Sequence, residues 1–341
     1  LAATTEGKAI EVIVVDNASS DETPEACPIL GERLFGKFFR YHRCPTNRNF
    51  GPASNLGAQM AVGEFLIFLN NDTVPLSGWY QPLIADFSTW PDLAATGPLL
   101  LYPESEPFGF TVQHLGVFVS PLMKVGHLYE GISVDCALAK KRRFFQIITA
   151  ACMVMRRALF METGMFDENY VNGFEDVDIC VRLSSKGYRL TVNPDARVIH
   201  HTSQTPGRHQ HEEENSQYFA AHRLSSLVPD WHLHIKNDGM FLRLGEWQTL
   251  QASLPAEKCA YLDQLAARSS HEELIALLVR HPFWENGWRL LAARNEKKAG
   301  LSGLELARFK LYPSPDGAIN LYDASCAVRD QKAVSSALGL L

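Results

Sequence analysis

Three groups of side chains in this sequence have types and spacing that could bind or transform a ligand. The first is Asp16, which ends the apolar run Glu11-Val-Ile-Val-Val15 and opens Asn17-Ala-Ser-Ser-Asp21. The second comprises Asn47-Arg-Asn49-Phe-Gly51, then Asn55, then Asn70-Asn71-Asp72 at the end of the apolar run Phe65-Leu-Ile-Phe-Leu69. Acids directly after apolar strands matter because ligands of open α/β sheets bind in the crevice outside the carboxyl ends of the strands. Gly51 lets backbone approach a ligand closely, and asparagine amides both donate and accept hydrogen bonds. The third group is Glu175-Asp176-Val-Asp178, three carboxylates in four residues at the opening of a helix. Crowded carboxylates raise the pKa of at least one of them, which suits a general base near neutral pH.

Each acid also fits a structural role. Asp16 suits a turn or a helix N-cap, and acids in a first helical turn are favoured by the helix dipole. Histidines at 200, 201, 209 and 211 add metal-binding chemistry, but the HExxH pattern fails because Asn215 stands four residues after His211. Alternation along a strand puts only one of His200 and His201 on the crevice side. Neither GxGxxG nor GxxxxGK[ST] occurs, so neither the common dinucleotide fingerprint nor a P-loop explains the acidic strand ends.

The elements that must hold these residues alternate between strand and helix over the first two-thirds of the chain. The runs ending at Asp16 and Leu69 are continuous and apolar, as in strands covered on both faces. Pro52 to Val62 reads as a helix between them, with Ala53, Leu56 and Met60 on one stripe and Gly63 as its stop. Ile147 to Met155 reads as a strand, Arg157 to Glu162 as a short helix and Glu175 to Lys186 as a helix stopped by Gly187. Two short extended runs, Arg189 to Val192 and Ala196 to Ile199, flank a turn signal at Asn193-Pro194-Asp195. Alternation of this kind gives an α/β fold with a mostly parallel sheet flanked by helices.

From about Leu233 strand-like runs vanish and amphipathic helical windows take over. Ile275 and Pro282 recur as Leu306 and Pro313, a spacing of 31 residues, with Leu290 and Ala293 falling on Leu321 and Ala324. That spacing fits tetratricopeptide-like helical pairs, and an ordinary small bundle equally. The expected division is therefore 1–232 and an all-α region 233–341, a candidate for self-association or for binding a protein partner.

The 341 residues carry 32 basic and 38 acidic side chains, a formal charge of −6, which argues against a nucleic-acid partner. Apolar residues at 46% and charged residues at 21% match ordinary globular chains. The longest nearly apolar stretch, Phe144 to Met155, falls short of the roughly 20 residues a spanning helix needs. Seven scattered cysteines without a CxxC pair point to free thiols and a cytoplasmic setting. Lys140-Lys-Arg-Arg143 beside Phe144-Phe145 reads as a solvated loop or as a peripheral contact with anionic lipid or a glycan phosphate.

In order and spacing the motifs resemble the inverting family 2 glycosyltransferases of the GT-A fold, especially the bacterial rhamnosyltransferase-like branch. The residues that carry the likeness are Val-Val-Asp16-Asn-Ala-Ser-Ser-Asp21, Asn49-Phe-Gly51-x3-Asn55, Phe-Leu-Asn70-Asn71-Asp72-Thr, Gly164-x-Phe166-Asp167-Glu168, Phe174-Glu175-Asp176-Val-Asp178-Ile-Cys-x-Arg182 and Pro194-x-Ala196-x-Val198-x-His200-His201. They extend over about residues 9 to 225.

The resemblance implies a nucleotide-diphospho-sugar donor bound by Asp16, Asn17, Asn49, Gly51, Asn55 and Asn71, its base and ribose near the Asp16 strand end and the Asn49 to Asn55 segment. It places Asn70-Asn71-Asp72 at the DxD motif, with Asp72, joined by His200, holding a divalent cation (Mg²⁺ or Mn²⁺) on the diphosphate. It assigns Asp176 as general base, with Glu175 orienting the acceptor or substituting, and implies a glycan or lipid-linked glycan acceptor in polysaccharide biosynthesis. Family members begin with an apolar strand ending in a Pro-x-Tyr-Asn-like turn, and the sequence starts beyond it, at Leu1. That start and Asn70 in place of the first acid of the motif leave a second expectation: a non-catalytic nucleotide-sugar- or glycan-binding scaffold with a helical interaction module.

Overall fold

Apolar residues of high β-propensity build the strands that carry the site in this computed structural model, which describes residues 1–5, 10–105, 107–201, 210–245, 248–294, 307–313, 318 and 321. Strand β1 (Val12–Asp16) pairs in parallel with β2 (Phe39–Arg43), with α1 (Thr23–Phe35) between them in the chain. Helix α2 (Phe50–Met60) then leads to β3 (Phe65–Leu69) and β4 (Thr73–Pro75), starting two residues earlier than the sequence pattern suggests.

Helix α3 (Gln81–Thr89), β5 (Leu93–Leu101), β6 (Arg143–Phe145), β7 (Cys152–Arg156), α4 (Arg157–Glu162), α5 (Glu175–Ser184), β8 (Arg189–His200) and α6 (Glu212–Arg223) follow. The central sheet runs β3-β7-β5-β8-β4, with β6 on β8. It is mixed: β7 is antiparallel to both β3 and β5, so those two share a direction. A core of Trp79, Leu83, Phe87, Leu93, Leu100, Val154 and Val198 packs beneath it.

Two local expectations are corrected. The turn expected at Asn193-Pro194-Asp195 lies inside the single strand β8. Buried Asn193 donates to both carboxylate oxygens of Asp86 (3.1 and 3.2 Å) and accepts from the Asp195 amide at 3.1 Å. These bonds let proline and its neighbours continue the strand. The strand expected from Ile147 begins only at Cys152, because the Ala150 amide bonds Asp176 and the Ala151 amide bonds the Thr149 hydroxyl instead of a neighbouring strand.

The chain divides into two compact units, and the division is discontinuous. One holds Leu1–Leu100, Gly116–Phe118 and Arg142–Val228; the other holds Leu101–Leu115, Val119–Lys141 and Pro229–Leu341. The division expected after residue 232 is a single cut, whereas the compact units interleave along the chain, 101–115 and 119–141 grouping with the C-terminal part. Packing is the reason: within the second unit the rings of Phe108 and Trp288, and of Tyr129 and Phe283, pack at a tilt.

That unit is not all-helical. Phe241–Leu244 (β9) and Leu250–Ser253 (β10) pair antiparallel, a short hairpin that the helical texture conceals. Its helices are α7 (Trp231–Asn237), α8 (Ala256–Ala266), α9 (His271–Arg280) and α10 (Glu285–Arg294). Ser270 and Glu273 form a reciprocal capping box at the start of α9. Leu274, Leu278, Trp284 and Leu291 form the apolar cluster that α8, α9 and α10 share. Most of the second copy of the 31-residue echo lies outside the described residues. Among the described residues no helix is long and apolar enough to cross a membrane.

The basic run 140–143 is engaged within the protein. Arg142 pairs with buried Asp86 at 2.7 Å and lies over Trp90, while Lys141 reaches Asp238 at 2.6 Å.

Candidate active site

The turn that carries Asp72 and the carboxylate of Asp176, 104 residues further along the sequence, bond to neighbouring peptides of one segment. The Asn70 amide donates to the Ala151 carbonyl at 2.9 Å, and the Ala150 amide donates to Asp176 Oδ2 at 3.0 Å. Consecutive Cα atoms stand only ~3.8 Å apart, so the strand-end turn and the acidic helix meet on that segment.

Asp72 is fixed by the pairing of β4 with β8. His200 lies opposite Thr73, the His201 amide donates to the Asp72 carbonyl at 2.9 Å, and His200 Nε2 comes within 3.1 Å of Asp72 Oδ1. His200 is buried and His201 exposed, which decides which of the pair faces Asp72. Asn71 is exposed in the turn.

This pair can supply one carboxylate oxygen and one imidazole nitrogen to a divalent cation. Among the described residues no set of three or more His, Cys, Asp or Glu side chains gathers as a metal site. The pair therefore fits an ion that takes its remaining ligands from phosphate oxygens and water, as Mg²⁺ and Mn²⁺ do.

The carboxylates of α5 have separate fates. Glu175 is 3% exposed, its Oε1 lacks a hydrogen-bond partner, and burial pushes its pKa up to about 7 with help from the neighbouring Asp176 charge. Hydrogen bonds from the backbone at Asn172, Gly173 and Glu175 itself act the other way. The helix dipole also favours the ionised form, by roughly 0.3–1 kcal/mol, and burial outweighs it. Asp176 is half-buried and accepts from Ala150 and from the Val177 amide. Asp178 is fully buried between two guanidinium groups, Arg182 and Arg223, each at 2.6 Å, and serves the interior.

The expected donor residues divide in the same way. Asp16 accepts from the Ser19 amide at 2.8 Å and from the Tyr41 hydroxyl at 2.5 Å, with Arg43 at 3.5 Å. Burial alone would raise its pKa, but these bonds and the Arg43 charge hold it below the ordinary carboxylate range. Asn55 is saturated: it donates to Phe166 O and Glu168 Oε1 and accepts from the Phe166 amide. It clamps the 166–168 loop, so its amide is engaged on that side of α2. A cavity of about 340 Å³ lies on that side, with Arg182 and Arg223 in its wall and, of the expected site residues, only Asn55.

Asn17 and Asn49 belong to a polar chain along the cleft edge. Asn17 donates to Asn47 Oδ1 and to the Asn49 carbonyl and accepts from the Arg48 amide. Gly51 brings α2 against the acid, since a Cβ there would stand 3.3 Å from Glu175 Cγ.

Four non-glycine residues at this site have left-handed backbone: Ala18, Asn49, Asn172 and Phe174, with φ from 53 to 73°. Such strain gathers where surrounding structure over-determines the backbone, commonly at functional sites. Asn172 was missed by the sequence reading; the available signal was Asn172-Gly173, a turn former beside a glycine just before the acidic helix.

Residues 1–163 match the family model described as Glycosyl transferase family 2. The O-antigen biosynthesis protein RfbC of Myxococcus xanthus is 35% identical over 161 residues, which are 46% of this chain but 12% of that protein. The N-acetylglucosaminyl-diphospho-decaprenol L-rhamnosyltransferase of Mycobacterium tuberculosis is 25% identical over 291 residues, covering 80% of this chain and 90% of that one. A mannosyltransferase of known structure from Pyrobaculum calidifontis, solved with GDP-Man and Mn²⁺, is 16% identical with a TM-score of 0.42, over 97% of this chain and 75% of that one. Together with the order of the acidic motifs, the family match over residues 1–163 and the curated relatives show a region similar to the family 2 glycosyltransferases.

Proposed function

We propose that this chain transfers a sugar, with inversion, from a nucleotide-diphosphate donor to a hydroxyl of a glycan or lipid-linked glycan, using a divalent cation and Asp176 as general base. The observation that supports the reading is a pair of bonds on consecutive residues: the Asn70 amide, in the turn before Asp72, donates to the Ala151 carbonyl, and the Ala150 amide donates to Asp176. The lipid-linked acceptor draws support from the rhamnosyltransferase relative, whose name specifies a diphospho-decaprenol substrate.

Asp72 and His200 would hold the cation, which when bound neutralises charge growing on the leaving diphosphate. The acceptor oxygen forms its bond to the anomeric carbon as the bond to the diphosphate oxygen breaks. The electron pair leaves with the diphosphate, and the acceptor proton passes to Asp176. Ala150 and Val177 aim that carboxylate from two sides, so it need not reorganise as the proton moves. Glu175, protonated below about pH 7, can donate a hydrogen bond to the acceptor, or substitute as base above it.

Asp176→Asn tests the assignment, with release of nucleoside diphosphate from a panel of nucleotide sugars and nucleotide binding measured by calorimetry in Mn²⁺. Transfer is expected to fall by about 10² to 10⁴ with donor affinity retained. Unchanged transfer, or lost donor affinity, removes Asp176 from the role of base.

A further inference from the structure

Helix α2 begins without a cap of its own. Asn49 at its N-terminal boundary makes no side-chain bond to the first turn, and the Phe50 amide is one of the orphan donors every helix start leaves. That donor is met from 122 positions away: Asn172 Oδ1 accepts from the Phe50 amide at 3.0 Å. The same side chain donates from Nδ2 to Asn49 Oδ1 at 3.2 Å. On its own side, Asn172 leads into α5, and its backbone is among the groups hydrogen-bonded to the Glu175 carboxyl. Gly51, one residue beyond Phe50, leaves the space that Glu175 Cγ approaches.

We infer that Asn172 is the positioning residue of this site. Its amide clasps the start of α2 to the turn before α5, so that Asn49, Gly51, Glu175 and Asp176 are held as one unit. The inference rests on the transferase reading for its kinetic consequence, whereas the clasp itself is a contact between two helix starts and is measurable without turnover. Asparagine suits the position because it tolerates the φ of 53° found here while presenting an acceptor and a donor on one short side chain. Glycine keeps the backbone and removes both bonds; aspartate keeps the acceptor for Phe50 and removes the donor for Asn49.

Amide hydrogen exchange by mass spectrometry, on the full chain with and without UDP, GDP or dTDP plus Mn²⁺, decides it. Asn172→Gly is expected to speed exchange about tenfold both in the 49–55 segment and in the 172–177 segment, whereas Asn172→Asp restores protection at the 49–55 segment alone. With whichever nucleotide sugar the wild type turns over, kcat of Asn172→Gly falls about tenfold while KM for the donor moves less than about threefold. Faster exchange confined to one segment, or equal behaviour of the glycine and aspartate variants at 49–55, overturns the clasp. Unchanged kcat in an active enzyme overturns its positioning role. A wild type that turns over no donor defeats the transferase reading, and the exchange data still judge the clasp.

Discussion

Replacing Glu175 with glutamine swaps the protonated carboxyl for a neutral group of the same shape and removes its ionisation. The folded protein holds this proton up to about pH 7, against an ordinary value of 4.5, with burial as the leading cause. Between those values the folded state binds more protons than the unfolded state, so the wild type loses stability as pH rises. Linkage between pH 5 and pH 8 makes that loss about 2–3 kcal/mol.

Glutamine also places an NH₂ near the unpartnered Oε1 position, or adjusts the backbone bonds, a packing cost that is nearly independent of pH. The informative quantity is therefore the change with pH in the stability difference between variant and wild type. Urea unfolding at pH 5, 6, 7 and 8 is expected to show the variant gaining about 2–3 kcal/mol on the wild type across the range. A difference constant to within about 0.5 kcal/mol would mean that Glu175 ionises normally in the fold, and that burial does not set its proton affinity.

For Asp72→Ala the expected outcome is loss of the Mn²⁺ dependence of nucleotide binding by calorimetry, the metal-free affinity being retained; undiminished metal dependence would place the cation elsewhere. Asp178→Ala leaves Arg182 and Arg223 facing each other without their shared partner, and costs about 3–5 kcal/mol in denaturant unfolding; a loss under about 1 kcal/mol would mean that water already screens the triad.

The primary sequence is enough to name the acids and the kind of elements that carry them. Continuous apolar runs ending in Asp16 and in Asn70-Asn71-Asp72, a helix stopped by Gly63, and a dense acidic helix start are local features, and local propensity and periodicity determine them. Asp178 and Asp176 are two residues apart, and Asp16 and Asp72 occupy equivalent strand ends, yet one member of each pair is occupied within the fold. Tyr41, Arg43 and Arg223, which make that difference together with Arg182 on Asp178's own helix, are brought in from other elements. Burial of Glu175 depends likewise on the close approach permitted by Gly51, 124 residues earlier. Propensity acts within a few residues of the chain, whereas desolvation and charge pairing depend on what packs nearby in space. For this protein the first selected the candidates, and the tertiary contacts divided them between chemistry and structural support.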